Sequence, residues 1–340
     1  MTNLAISIVS WNTHDLLHRC IASVHDSLAN AGIGYQIVVV DNASADGTPA
    51  MLRAEHPDVV LIESGRNLGF AGGNNLALRR VLSSESGYNS KLDYVLLLNP
   101  DTEVFGDAIP RLVRYLDAHP DVAVVGPRLC YPDGSVQSSR RRFPTAGVFF
   151  WESTPLEQRW PNNPWVRRYR YADRPDGVEQ EVDWLVGAAL LVRRSAIERA
   201  GLLDAGFQMY SEELEWQRRI RMKAEGRRMK QSTAERTSSF IVHPSSFAHQ
   251  IMYLPSALII HHEGKSSEQA PAQRYLNFQR SRIRDARMVY GARFAALLRW
   301  FMRAAYATEL ATEATKWLLG HKRRLRAQRI AVYWQIVRGL

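Results

Sequence analysis

The chain has 340 residues, 46% of them hydrophobic and 23% charged, a globular composition with enough length for one large core or two modest ones. No apolar run reaches the roughly 18–20 residues that span a bilayer, and two cysteines, Cys20 and Cys130, are too few for a disulfide scaffold, which excludes an integral helical membrane protein and favours a reduced, cytosolic one. The net charge of +10 is concentrated at one end: residues 276–340 carry 14 Lys/Arg against 3 Asp/Glu, so the remaining chain sums to about −1.

The start of the sequence, "MTNLAISIVSWN", runs directly into a strand with no basic segment and long apolar core ahead of it, so no signal peptide is read. "LAISIVS" is a strand, "HDLLHRCIASVHDSLANAG" a helix, "YQIVVVD" a strand and "ADGTPAMLRAEHP" a helix. "VVLIES", "FAGGNNLALRRVL" and "DYVLLLN" continue the alternation, followed by "AIPRLVRYLDAHP" and "VAVVGP". The strands are continuous apolar runs, which marks strands buried on both faces of a mainly parallel sheet, and the alternation predicts a doubly wound α/β domain. Residues 135–182, rich in Arg, Pro, Trp and Tyr, show poor periodicity and read as loops. "EVDWLVGAALLVRRSAIERAG" is a strand and a helix, "SEELEWQRRIRMKAEG" a helix, and the Ser-rich stretch near 231–250 an insertion. "MYLPSALIIHHEGKSS" is a last strand and loop, and the chain is helical from about 272. The expected organisation is a catalytic domain over 1–271, with a nucleotide-binding half over 1–130 and an acceptor half over 183–271, followed by a basic amphipathic helical tail over 272–340.

Ligands of open α/β sheets sit beyond the carboxyl ends of the strands. In this chain the strands run out into Ser10-Trp11-Asn12, Asp41-Asn42-Ala43-Ser44, Arg66-Asn67-Leu68-Gly69 with Gly72-Gly73-Asn74-Asn75, and Asn99-Pro100-Asp101. Any one of these is ordinary turn punctuation; four on one edge predict a site. "GFAGGNN" opens a helix, where N–H groups can hold phosphate, or its glycines allow close helix–sheet packing.

Six ordered segments, "SIVSWN", "VVVDNASADGT", "NLGFAGGNN", "LLNPDTEV", "GLLDAGFQMYSEELEWQRRI" and "IIHHEGKSS", resemble the family 2 glycosyltransferases of GT-A fold, in particular their rhamnosyltransferase-like branch. The resemblance covers residues 4–285. It implies an inverting enzyme that moves a sugar from a dTDP- or UDP-linked donor to a hydroxyl of a glycan or lipid-linked acceptor in cell-envelope polysaccharide synthesis. Ser10, Asn12, Asp41, Asn67, Gly69, Asn74, Asn99 and Arg219 are the implied donor-binding residues, with Asp41 suited to accept from the N3–H of a uracil or thymine. N-P-D replaces the family's D-x-D, leaving Asp101 as the one matching carboxylate for Mg²⁺ or Mn²⁺. The H-x-x-G-x-S loop matches His261, Gly264 and Ser266, with His262 an adjacent competitor; an imidazole ligand tilts the choice toward Mn²⁺. The family's E-D-x-D appears as Glu212-Glu213-Leu214-Glu215, with Glu213 aligned to the base and Glu212 and Glu215 beside it. Read without the resemblance, the same stretch is an ordinary charged helix with acids at its start.

The tail mixes Arg and Lys with Trp, Tyr, Phe and Leu. Ile330, Tyr333, Trp334 and Val337 share one helical face, the make-up of a helix lying on an anionic membrane rather than on nucleic acid. Its alternative is a tail packed on the chain's own body or on a second subunit of a homo-oligomer. Two competing functions are a sugar nucleotidyltransferase, disfavoured because "SWNTHD" replaces a Gly-rich basic loop, and a catalytically degenerate basic binding protein.

Overall fold

The computed structural model describes residues 3–83, 92–152, 154–207, 209–222, 249–263 and 271–340. The chain divides into two compact units, one of Met1–Arg141, Arg174–Gly206 and Glu212–Ser266, the other of Arg142–Asp173, Phe207–Ser211 and Ser267–Leu340.

The first unit is built on a nine-stranded sheet. In chain order its elements are β1 (Asn3–Ser10), α1 (His14–Leu28), β2 (Gly34–Asp41), α2 (Thr48–Glu55), β3 (Val60–Glu63), α3 (Gly69–Leu82), β4 (Tyr94–Leu98), β5 (Thr102–Phe105), α4 (Ala108–Ala118) and β6 (Val122–Cys130). A two-stranded ribbon of β7 (Arg140–Arg141) and β9 (Trp184–Leu185) stands apart from it. The unit continues with β8 (Gln180–Glu181), β10 (Ala189–Arg193), α8 (Arg194–Ala200), α9 (212–222) and β11 (Gln250–His261). The sheet order is β3-β2-β1-β4-β10-β6-β11-β5, with β8 paired to β11.

The alternation read in the sequence gives the left half of this sheet directly. β4, Tyr94–Leu98, is buried at every residue, and its leucines are 0–1% exposed. Each such side chain is worth about 1.5–3 kcal/mol of burial. On α1, Leu17, Ile21, Val24 and Leu28 form the buried stripe, and on α4 Ile109, Leu112, Val113 and Leu116 do the same. The departure is β10, which is inserted antiparallel between β4 and β6 (Ala189 opposite Leu98, Leu191 opposite Val125). An apolar run announces a buried strand but not its direction. At the end of β10, Arg193 donates to the carbonyls of Leu116 and His119 at the C-terminus of α4 and of Val122 in β6, at 2.7–3.1 Å. β5 and β8 also run antiparallel to β11. β1, β2, β3, β4, β6 and β11 are parallel, so Ser10, Asp41, Leu98, Cys130 and His261 end on one edge. β11 slips register between Leu254 and Leu258, around Pro255, which has no N–H for a ladder. Of the insertion read near 231–250, residues 231–248 lie outside the described residues, as do Gly264 and Ser266; Gln250 opens β11.

In the second unit, the segment read as loops holds three short helices, α5 (Ala146–Trp151), α6 (Pro155–Arg159) and α7 (Pro164–Tyr169). They are too short for periodicity to register, but α6 and α7 carry proline in the first turn, and Asn163 caps α7 by accepting from the Val166 N–H at 2.9 Å. α10 (Pro271–Leu318) is broken at Gly291, whose φ of 85° no helix allows, and α11 (Arg323–Gly339) packs against it. Phe149, Ile283, Leu298, Met302, Tyr306 and Ile336 form their core. Buried Glu313 accepts two bonds from Arg326 at 2.6 and 2.8 Å. The α11 face expected to meet a membrane is partly used here: Tyr333 and Val337 pack on this core, while Trp334 stays 51% exposed. No helix among the described residues is long and apolar enough to cross a membrane.

Candidate functional site

The sheet's carboxyl edge gathers three groups of the expected residues, all within the first unit. The first lies between the ends of β1 and β2, where parallel pairing sets Ser10 opposite Asp41. The Ser10 hydroxyl bonds to that of Thr13 at 2.8 Å. Asn12, at a left-handed φ of 50°, accepts from the Ala45 N–H at 2.8 Å through Oδ1, and its own N–H donates to Ser44 Oγ at 2.9 Å. Asp41 is 2% exposed; its Oδ2 accepts from the Ser44 N–H at 3.0 Å, and its Oδ1 is buried with no hydrogen-bond partner. The N-terminus of α2 does not need Asp41 as a cap, because Asp46 accepts from Thr48 N–H and Oγ1. A buried carboxylate oxygen without a donor is expensive to leave so. Among the described residues no donor reaches this oxygen.

The second group is the start of α3. Asn42 donates to the Gly69 carbonyl at 3.2 Å and so ties the end of β2 to this turn. Exposed Asn67 accepts from the Gly69 N–H at 2.9 Å, and Gly69 takes a φ of 69°. Asn74 is spent internally: Oδ1 accepts from the Ser7 hydroxyl at 2.8 Å and Nδ2 donates to the Phe70 carbonyl at 3.1 Å. Asn75 clamps the Leu203 backbone through both ends of its amide. Gly73 has a packing task, since a Cβ there would stand 2.6 Å from Val9 Cγ1.

The third group joins β4, β5, β10 and β11. After Leu98 the chain turns through Asn99-Pro100-Asp101. The Asn99 N–H donates to the Ala188 carbonyl (2.9 Å), and the Thr102 hydroxyl closes the turn on the Asn99 carbonyl (2.7 Å). Burial pushes the Cys20 thiol up to about 12, so it stays protonated beneath this turn, 3.6 Å from the Asn99 carbonyl. Asp101 and His261 are both 5% exposed. His261 Nε2 stands 3.3 Å from Asp101 Oδ1 and 3.3 Å from Asn99 Nδ2. His261 Nδ1 bonds to Gln137 Oε1 at 2.8 Å. His262 turns elsewhere and pairs with Glu103 at 2.7 Å.

α9 brings the acids. Glu212, Glu213 and Glu215 are all buried. Gln217 anchors the helix by bonding both the N–H and the carbonyl of Leu185 (2.9 and 2.7 Å). Glu213 lies against the β9–β10 turn: a Cβ on Gly187 would touch its Cβ and Cγ at 3.4 Å and the Phe70 ring at 3.5 Å. Gly187 precedes Ala188, the partner of Asn99, so one dipeptide links Glu213 to the Asn99–Asp101 turn. Burial pushes the Glu213 carboxyl above the ordinary glutamate range, against the pull of the Gly187 and Leu214 backbone N–H groups and the charge of Arg141. Its Oε2 is buried with no hydrogen-bond partner. Glu215 instead pairs bidentately with Arg219 at 2.7 and 2.9 Å, and the remaining nitrogen of Arg219 donates to the carbonyls of Ala200 and Leu202. This pair holds α9 to the loop after α8, and its bonds do not reach the β-edge groups.

Sequence reading missed Gln137, Arg141 and Gly187. Gln137 and Arg141 sit in an aperiodic Arg/Ser stretch, and Gly187 in what reads as a continuous apolar run; only pairing of β10 with β4 makes that glycine adjacent to the turn.

Residues 5–201, more than half of the chain, match the family model described as Glycosyl transferase family 2. The chain belongs to glycosyl transferase family 2. This family 2 glycosyltransferase is 29% identical over 306 residues to the N-acetylglucosaminyl-diphospho-decaprenol L-rhamnosyltransferase of Mycobacterium tuberculosis, covering 89% of this chain and 90% of that one. It is 26% identical to the low-salt glycan biosynthesis hexosyltransferase Agl10 of Haloferax volcanii over 65% of this chain and 62% of that one. A mannosyltransferase of Pyrobaculum calidifontis, solved with GDP-Man and Mn²⁺, superposes with a TM-score of 0.51 at 16% identity over 99% of this chain and 85% of that one, a likeness of fold. The mainly parallel sheet with flanking helices is the GT-A arrangement the sequence implied, and the enzyme is a nucleotide-sugar glycosyltransferase.

Proposed function

We propose that this glycosyltransferase is inverting and metal-dependent, and that it transfers rhamnose from a dTDP- or UDP-linked donor to a hydroxyl of a lipid-linked glycan in envelope polysaccharide synthesis. The observation that carries the reading is the convergence of Asp101, His261 and Asn99 on one turn, joined through Gly187-Ala188 to the buried base candidate Glu213. The donor sugar and acceptor class are drawn from the mycobacterial relative's name.

Asp41 Oδ1 receives the base N–H, and Ser10, Asn12, Asn67 and Gly69 frame the nucleotide. Asn74 supports this group from below through Ser7, and the Glu215–Arg219 pair supports α9. The donor set for a divalent ion is a carboxylate and an imidazole nitrogen, an oxygen-and-nitrogen pair that fits Mn²⁺ or Mg²⁺ when phosphate oxygens and waters fill the other positions. When bound, the ion offsets the charge that develops on the departing diphosphate. Glu213 takes the acceptor hydroxyl's proton. The acceptor oxygen bonds to the anomeric carbon as the bond from that carbon to the diphosphate oxygen breaks, and the nucleoside diphosphate leaves from the opposite face. A carboxylate whose proton affinity is raised by burial is the better base. Glu212, its neighbour in sequence, is buried as well.

The second unit supplies a docking surface for an anionic leaflet. Trp300, Leu318 and Leu319 are 70%, 69% and 80% exposed, with exposed Arg299, Lys316 and Lys322–Arg324 close in sequence. Such residues combine interfacial anchoring with roughly 1 kcal/mol per basic group near the leaflet.

The deciding experiment screens dTDP- and UDP-sugars for hydrolysis and transfer with Mn²⁺, Mg²⁺ or chelator, in the wild type and in Asp101→Asn. Metal-stimulated turnover of dTDP-rhamnose that Asp101→Asn loses supports the reading, while equal turnover in chelator refutes it.

A further inference from the structure

Gln137 lies in no expected motif, yet it is 8% exposed and stands behind His261. Its carboxamide makes two bonds of opposite sense. Nε2 donates to Glu263 Oε2 at 2.8 Å, and Oε1 meets His261 Nδ1 at 2.8 Å. The Tyr131 hydroxyl also donates to Glu263 Oε2, at 2.9 Å, and Glu263 holds a left-handed φ of 45°, a backbone state that costs a non-glycine residue energy and persists where surrounding bonds enforce it.

These senses are not interchangeable. A carboxylate only accepts, so Gln137 must turn its NH₂ to Glu263 and its oxygen to His261. An oxygen at Nδ1 requires Nδ1–H. In the neutral ring that leaves the Nε2 lone pair to accept from Asn99 Nδ2, and it stands 3.3 Å from Asp101 Oδ1, two acceptors side by side that a shared cation would reconcile. Were the tautomer reversed, Nε2–H would donate to Asp101, but Nδ1 would face the Gln137 oxygen lone pair against lone pair and Nε2–H would oppose the Asn99 amide, so two of the three contacts would be lost.

We infer that Gln137 is a positioning residue: the series Glu263–Gln137–His261 fixes the Nδ1–H tautomer of His261 and presents Nε2 beside Asp101 as a ligand for the divalent ion. The inference rests on the metal reading above and assigns to this chain the outer hydrogen bond that metal-binding imidazoles require, whose loss typically weakens metal binding 10–100-fold.

The test uses the full chain. Two-dimensional ¹⁵N–¹H spectra of ¹⁵N-histidine-labelled protein, with His261 assigned by its loss in His261→Ala, report the tautomer without metal or substrate. Electron paramagnetic resonance titration with Mn²⁺, alone and with UDP or dTDP, reports affinity. The expected result is an Nδ1–H tautomer in the wild type, redistributed in Gln137→Leu, with Mn²⁺ affinity down at least tenfold and nucleotide binding in chelator unchanged. The exchanged pair Gln137→Glu with Glu263→Gln, which again sets an oxygen on Nδ1–H, restores Mn²⁺ affinity to within about threefold; a residue that only fills space gives no such rescue. If His261→Ala and Asp101→Asn lose Mn²⁺ while Gln137→Leu retains it, the inference is wrong and the metal site stands. If neither of those two variants changes Mn²⁺ binding, the metal reading falls. A wild-type His261 found as the Nε2–H tautomer overturns the inference by itself, even should Gln137→Leu fold poorly.

Discussion

Replacing Glu213 with Gln separates catalysis from stability. The side chain keeps its shape and loses its charge. In the folded protein Glu213 is buried, with one oxygen lacking a partner, and burial raises its pKa. Over the window between the unfolded glutamate value, about 4.3, and the raised folded value, the native state holds a proton that the unfolded chain has released. Stability therefore falls as pH rises through that window. An unsatisfied buried group costs about 1–3 kcal/mol. The Gln amide must find its own acceptor, so the net gain expected for Glu213→Gln at pH 8 is about 1 kcal/mol, or about 2 °C in Tm for a chain of this size. At pH 4 the two proteins unfold alike. Catalysis moves the other way. Loss of a general base lowers the transfer rate about 10²–10⁴-fold, equivalent to about 2.7–5.5 kcal/mol, with donor KM within twofold. The acid limb of the wild-type kcat/KM profile lies above the usual glutamate range and is absent in the variant. Scanning calorimetry at pH 4 and pH 8 and initial-rate transfer assays make both measurements. Transfer within threefold of wild type would show that the base is elsewhere, and a variant less stable at pH 8 would refute the claim that this carboxylate is held at a cost.

Asp41→Asn keeps an oxygen for the Ser44 N–H but turns an amide toward the nucleobase N–H; nucleotide affinity by calorimetry drops about 10–100-fold, from the loss of a charge-assisted bond, with kcat little changed. Unaltered affinity would remove Asp41 from the site. Arg219→Ala strands Glu215 and frees the Ala200 and Leu202 carbonyls, costing about 2–4 kcal/mol in urea unfolding. A variant of normal stability but raised donor KM would move Arg219 into the donor site. Gly73→Ala drives a methyl into Val9 and lowers stability by about 1–3 kcal/mol; adding Val9→Ala recovers part of the loss, and failure of that rescue would deny the close contact. Trp300→Ser combined with Leu318→Ser and Leu319→Ser abolishes sedimentation with phosphatidylglycerol vesicles while the helical circular dichroism is kept; unchanged sedimentation would show that these side chains do not dock.

The sequence by itself determined the alternating half of the fold, because continuous apolar runs such as Tyr94–Leu98 make sense only between two layers of helix. It also placed Ser10, Asp41, Asn67 and Asp101 at strand ends, and parallel strands put their ends on one edge. It identified Glu213 only through its likeness to a family motif, since Glu212–Glu215 by itself is a charged helix start. Tertiary structure decided the rest. Strand direction is not written in hydropathy, so the reversal of β10, and with it the bridge Gly187-Ala188 between Glu213 and Asn99, emerges only when the strands pair. The partners of polar groups are decided the same way: Arg219 bonds to Glu215 and two carbonyls, and Asn74 to Ser7, contacts that their place among the implied donor-binding residues does not foretell. Gln137 meets His261 across 124 residues of chain, and no local pattern foretells a hydrogen bond whose partners are brought together by the sheet.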